Sequence, residues 1–245
     1  IGSQAGENVQ SAFAVAVGAL AGQSNQGNSS VAIGYNAGVL DQGASSVALG
    51  TNAGAEAQGA NAVALGSLAG NSSQQSAAIA IGSEAGFFHQ GTGSIAIGLK
   101  AGIDNQGLSS IAIGENAGQS SQSVNSIAVG FNAGSSGQGA TAVAIGVMAG
   151  AYSQGVGSIA VGSSAGSSYQ GTFGIAIGSS AGQLSQQADA VAIGVNAGQV
   201  SQKTASVAIG FYAGASGQNE SAVAIGKSAG QSNQQSAAVA IGYLS

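Results

Sequence analysis

Short bursts in which Val or Ile alternates with Ala and Gly run along the whole chain, separated by stretches of Ser, Asn, Gln and Gly. Their spacing is constant. If the Gly that ends each burst is position 0, it recurs every 16 residues from Gly2 to Gly242, which marks out 15 whole repeats. Position −2 is Ala from Ala16 to Ala240, position −3 is always Val or Ile, and position −1 is Ile, Val or Leu. Ala-Gly stands at +3 and +4 from Ala5-Gly6 to Ala229-Gly230, and Gln stands at +8 from Gln10 to Gln234.

A 16-residue unit is too short for two helices, and alternation of β-branched with small residues is strand periodicity. Each unit therefore predicts one coil of an all-β, parallel β-solenoid (β-roll) with 15 sixteen-residue coils. In the unit Ser30 to Ser45 the strand Ser30-Val31-Ala32-Ile33-Gly34 turns at +1 and +2, returns through Ala37-Gly38, and turns again near Gln42-Gly43. The Gly, Gln, Asn, Ser or Lys at +9 reads as a tight bend with positive φ. Coils stacked about 4.8 Å apart would make a rod roughly 70 Å long. Residues 1–245 form a single repeat domain on this reading, and because the chain starts and stops in mid-repeat it reads as an excerpt of a longer fibre.

Successive strand residues point to opposite faces, so Val/Ile at −3 and −1 face one way and Ala at −2 the other. Neither face drifts among the repeats as +1 does, so both read as packed. One face fills the narrow lumen of the coil; the other needs a partner, and further copies of the chain about a long axis, a homotrimer, are the economical source. All eleven charged residues avoid the eight positions −4 to 0, +3, +4 and +8. Random placement would do this about once in two thousand draws, whereas charges are seldom buried unpaired. The single invariant polar slot, Gln at +8, predicts a structural amide ladder through Gln42, Gln58, Gln74, Gln90 and Gln106.

Composition narrows the function. Only 4% of residues are charged, against about 25% in ordinary domains. The net charge is −5 with three basic residues, Lys100, Lys203 and Lys227, which excludes a nucleic-acid partner. No apolar run approaches the ~18 residues of a membrane-spanning helix, so this segment does not insert into a membrane. The absence of Cys removes disulfides and thiolate metal sites and suits an extracellular location. His89 is the only histidine and reads as an exposed turn residue at +7. Gly-x-x-Ala-Gly lacks the following helix and Lys of a phosphate loop, and the eight acids are scattered rather than convergent. No catalytic residue, cofactor or metal site is expected, and the chain does not read as an enzyme.

Surface contact is the remaining role. Phe87-Phe88-His89 and Phe211-Tyr212 place large apolar groups in variable slots and are the candidate contact residues; packing on adjacent turns or between subunits is the alternative for them. Asn28, Asn71 and Asn219 match the Asn-x-Ser glycan acceptor pattern.

The pattern Ser-Val-Ala-Ile-Gly-x-x-Ala, seen at Ser30 to Ala37, Ser46 to Ala53 and Ser206 to Ala213, resembles the head repeat of trimeric autotransporter adhesins. The resemblance spans the chain and implies a left-handed parallel β-roll, three chains about one axis, and attachment to host or environmental surfaces by the outer face. The unit here is slightly longer than the commonest one of that family, and nothing resembles its neck, stalk or membrane-anchor barrel. Similar repeats also resemble phage and large-virus fibres. The expected function is thus an extracellular structural and adhesive fibre segment on a bacterial surface, with a virion fibre or receptor-free filament as the alternative. An ice-binding solenoid would require an outer row of repeated Thr, which no slot supplies.

Overall fold

The computed structural model describes all 245 residues, which divide into two compact units, Ile1–Asn125 and Ser126–Ser245. Both are parallel β-solenoids without helix, and each coil contributes two three-residue strands. The first is the burst at −3 to −1, as in Val31–Ile33, here called the VAI strand; the second covers +6 to +8 and ends on the invariant glutamine, as in Leu40–Gln42, here called the Gln strand. In the first unit seven VAI strands run from Val15–Val17 to Ile111–Ile113 and eight Gln strands from Asn8–Gln10 to Ser120–Gln122. In the second unit eight VAI strands run from Ile127–Val129 to Val239–Ile241, and five Gln strands, Ser136–Gln138 to Val200–Gln202, continue as single bridges at Ser216 and Ser232.

Pairing is parallel and always to the residue 16 further on. Val31, Ala32 and Ile33 sit beside Val47, Ala48 and Leu49, and Gln42 sits beside Gln58. Because the register equals the sequence period, like stacks on like, and each slot becomes a column.

The lumen is narrow and has no large apolar filling. Ala at −2 and at +3 is fully buried through nearly every coil, as in Ala32, Ala37, Ala144 and Ala149, and the largest fully buried side chains are the +8 glutamines. The β-branched residues at −3 and −1 point the other way. Only methyl-sized groups fit between the two sheets once the glutamine amides lie there, which is why the small partner of the alternation faces inward. The predicted division into a lumen face and an outer apolar face therefore resolves with Ala inside and Val/Ile outside.

Two expectations need correction. The single strand with a return through Ala-Gly is replaced by two strands, with Ala-Gly inside the turn at +1 to +4. The second strand escapes a pattern search because its central residue is left-handed, as at Asp41 (φ 52°) and His89 (φ 50°), so +6 and +7 both face solvent and period-2 alternation is lost. Nor is +9 a positive-φ position: Gly27 and Gly43 are absent from the left-handed residues, which instead fall at +2, +4, +7 and +11, as at Asn36, Gly38, Asp41 and Ser45. At Gly43 itself the next coil stacks closely, since a Cβ there would lie 2.5 Å from the amide nitrogen of Ala60.

Candidate interaction surfaces

The invariant slots lock one another. Gly38 at +4 has φ 52°, and a Cβ there would lie 2.8 Å from the amide carbon of Gln42, so the glycine both makes the turn and leaves room for the glutamine head. Gln42 Nε2 in turn donates to the carbonyl of Val31 at 2.9 Å, tying the Gln strand to the VAI strand across the lumen. Where −4 is serine it closes the intervening bend, as where Ser46 Oγ donates to the carbonyl of Gly43 at 2.7 Å.

Along the column the amides also reach each other. Gln42 donates to Gln58, Gln58 to Gln74 and Gln74 to Gln90 at 3.0–3.2 Å in the first unit. In the second unit the chain of donations runs unbroken from Gln138 through Gln154, Gln170, Gln186, Gln202 and Gln218 to Gln234. Gln90 and Gln106 are not joined: Gln106 keeps its bond to the carbonyl of Ile95 at 2.7 Å, but its buried Oε1 has no donor. The dominant role of each glutamine is therefore the cross-lumen bond, made in every coil from Gln26 onward whose bonds are given, and the ladder is superimposed on it.

Outside, the VAI sheet presents an apolar column in both units. Leu49, Leu65 and Ile113 in the first unit and Ile145, Ile177 and Ile225 in the second are each 37–41% exposed. No charged residue lies at −3 or −1 anywhere in the chain. A single chain leaves this face uncovered.

The aromatic candidates sit elsewhere on the coil. Phe87 and Phe88 pack edge to face with ring centroids 4.2 Å apart; Phe87 is half-buried, while Phe88, 44% exposed, is on a Gln strand between Ser72 and Asp104. His89 is exposed beside them, on the same strand rather than in a turn, because the Gln strand spans Phe88–Gln90. Phe211 and Tyr212 form a second edge-to-face pair at 4.6 Å in the turn at +1 and +2. The first pair belongs to the first unit and the second pair to the second. The sequence reading missed Lys227, whose ammonium lies 5.9 Å from the Phe211 centroid and 5.4 Å from that of Tyr243. All three occupy the +1 column, so the 16-residue spacing 211, 227, 243 is the signal that could have found the stack.

Charge is sparse on both units. Lys100 and Glu84, at +2 of neighbouring coils, approach to 3.9 Å, and both are substantially solvated, so the pair contributes little. No pocket opens in the surface, and no three His, Cys, Asp or Glu side chains cluster closely enough to hold a metal ion.

A family model described as YadA head domain repeat (2 copies) matches residues 26–53, 42–69 and 121–146. Each match takes in two successive VAI bursts together with the Ala at +3 or the Gly at 0 that follows. The matched coils are similar to YadA head repeats. YadA heads are structural β-solenoids of an adhesin family rather than of an enzyme family, and the solenoid described above fits them. Comparisons with curated proteins and with solved structures find no match. The adhesin-like reading thus rests on this partial match together with the repeat and its fold.

Proposed function

We propose that this chain is the adhesive, self-associating part of an extracellular fibre on a bacterial surface, three copies joining through the VAI face and displaying the remaining positions to the surroundings. The observation that carries the reading is the outward apolar column at −3 and −1. A soluble monomer seldom exposes a contiguous apolar patch beyond a few hundred Å², yet this one recurs in every coil and excludes charge throughout. A closed ring of like chains buries the same column from each copy, as symmetric homo-oligomers do. With the lumen sealed by Ala and Gln and the VAI face given to self-association, the Gln sheet and the turns at +1, +2 and +5 to +7 are the surfaces left to meet a partner.

The Phe87–Phe88 pair is the place to test display. Changing both to Ser is expected to weaken adhesion to host-cell or matrix-coated surfaces while moving the melting temperature little, because surface changes away from packed features cost within about 0.5 kcal/mol. Unfolding as readily as a lumen mutant would show that the rings are core, and would move the display surface elsewhere.

A further inference from the structure

The two units differ in charge. Six acids (Glu7, Asp41, Glu56, Glu84, Asp104, Glu115) against Lys100 give the first unit the whole net charge of −5, whereas Asp189 and Glu220 balance Lys203 and Lys227 in the second. From Asn116 to Ala188 there is no Asp, Glu, Lys, Arg or His. The contrast is sharpest on the outer face of the Gln sheet, built from positions +6 and +7. In the first unit that face carries Asp41, Glu56 and Asp104; in the second it carries no Asp, Glu, Lys, Arg or His, and is Ser, Gly or Asn except at Tyr152, Tyr169, Leu184 and Val200.

Those four lie together. Tyr152, Ser168, Leu184 and Val200 are successive partners across four neighbouring strands. At about 4.8 Å per strand, Tyr152 and Leu184 stand roughly 10 Å apart, with Tyr169 on the strand between them. Tyr169 is 69% exposed, Tyr152 52% and Leu184 43%. Tyr with Ser, Gly and Asn is the composition of surfaces that bind by rigid aromatic contact and adaptable hydrogen bonds, at small cost in side-chain entropy.

We propose that this face of the second unit is a docking surface for a neutral, hydroxyl-rich polysaccharide. A sugar ring offers C–H bonds on its faces and hydroxyls around its rim, and the sheet offers rings to stack on and a field of Ser hydroxyls to exchange hydrogen bonds. Charged partners find nothing here: nucleic acid and anionic lipid headgroups need Lys or Arg. Protein hot spots prefer well-packed, desolvated pockets, and this surface has none. A sheet face repeating at strand spacing instead suits a linear polymer lying along it. The inference rests on the display reading, but its residues are in the other unit from Phe87 and Phe88, so the two readings fail separately.

The test is retention of the assembled protein on insoluble cellulose, insoluble β-1,3-glucan and starch granules, at low salt and at about 1 M NaCl, where charges are screened beyond about 3 Å. At least one polysaccharide is expected to retain the protein, with less than about twofold change between the two salts. Y152S/Y169S should lower the association constant about tenfold or more, and Y152F/Y169F, which keeps the rings, should stay within about threefold. F87S/F88S should bind these polysaccharides like the unmodified protein even if it no longer adheres to cells. The proposal is overturned by retention on none of the three, by retention that salt abolishes, or by Y152S/Y169S binding normally or unfolding. Capture on casein-coated beads but on no polysaccharide would assign the face to a protein partner. Sedimentation of the protein alone that Y152S/Y169S abolishes would assign it to a second copy, and both results also overturn the proposal.

Discussion

At the residue scale the chain tolerates an unusual amount of left-handed backbone. Positions +2, +7 and +11 hold φ near 50–60° in almost every coil, and mostly in residues other than Gly. For an L-residue this conformation costs about 1–2 kcal/mol unless the side chain is Asn or Asp. Many coils meet the requirement with Asn, as at Asn36, Asn52, Asn116 and Asn132, while others do not. Thr141, exposed and β-branched at φ 57°, is a clear mismatch, as is Val9 at φ 54°. Thr141→Asn is expected to stabilise the fold by about 1 kcal/mol and raise the melting temperature by about 2–4 °C. Thermal unfolding followed by circular dichroism checks it, and an unchanged or lower midpoint would mean that the Thr141 hydroxyl contact with the Ala140 carbonyl offsets the backbone cost.

At the element scale the coil is held by one side chain. The Gln strand has no apolar residue of its own facing the lumen, so its attachment to the VAI strand rests on the glutamine amide and on the methyls it lies against. Gln90 donates to the carbonyls of Ile79 at 2.6 Å and Ser94 at 3.4 Å and accepts from Gln74 at 3.0 Å. Gln90→Leu keeps the volume and deletes all three bonds, leaving buried groups unpaired at about 1–3 kcal/mol each. Destabilisation on the order of 3 kcal/mol, read from chemical denaturation, is the expected result. It contrasts with the near-neutral effect expected for Phe88, two residues earlier on the same strand but facing solvent. An equal loss from both would mean that the strand does not separate an inner from an outer side.

At the scale of the whole molecule, the lumen and the outer apolar column predict different failures. Ala144 is fully buried between the sheets, whereas its neighbour Ile145 points outward and is 41% exposed. Asp in place of Ala144 and of Ala128 puts charges in a space that admits only methyl groups, and the solenoid should not form. Asp in place of Ile145 and Ile177 leaves the lumen intact and should break self-association instead. Analytical ultracentrifugation with circular dichroism separates the two cases: loss of β signal for the first pair, loss of the proposed trimer for the second. A monodisperse, stable monomer of the unmodified protein at micromolar concentration would remove the trimer altogether.

The sequence by itself determined the period, the parallel in-register stacking, the invariant slots and the exclusion of charge from them, because a solenoid repeats one local solution and fifteen copies expose which positions that solution constrains. The column of buried glutamines was legible for the same reason, since no solvent-facing slot would hold one polar residue in every coil. The second strand was not legible: its left-handed centre at +7 destroys the alternation by which strands are recognised. The reason for Gly at +4 was hidden too, as it lies in the Gln amide packed against it. Only the tertiary structure decided that Ala rather than Val/Ile faces the lumen, because that choice depends on the distance between two sheets. It also decided that Tyr152, Tyr169 and Leu184, in three different coils and two different slots, share one surface. Stacking converts separations of about 16 residues along the chain into about 5 Å in space, so neighbours across coils emerge only once the register and the facing of each slot are known.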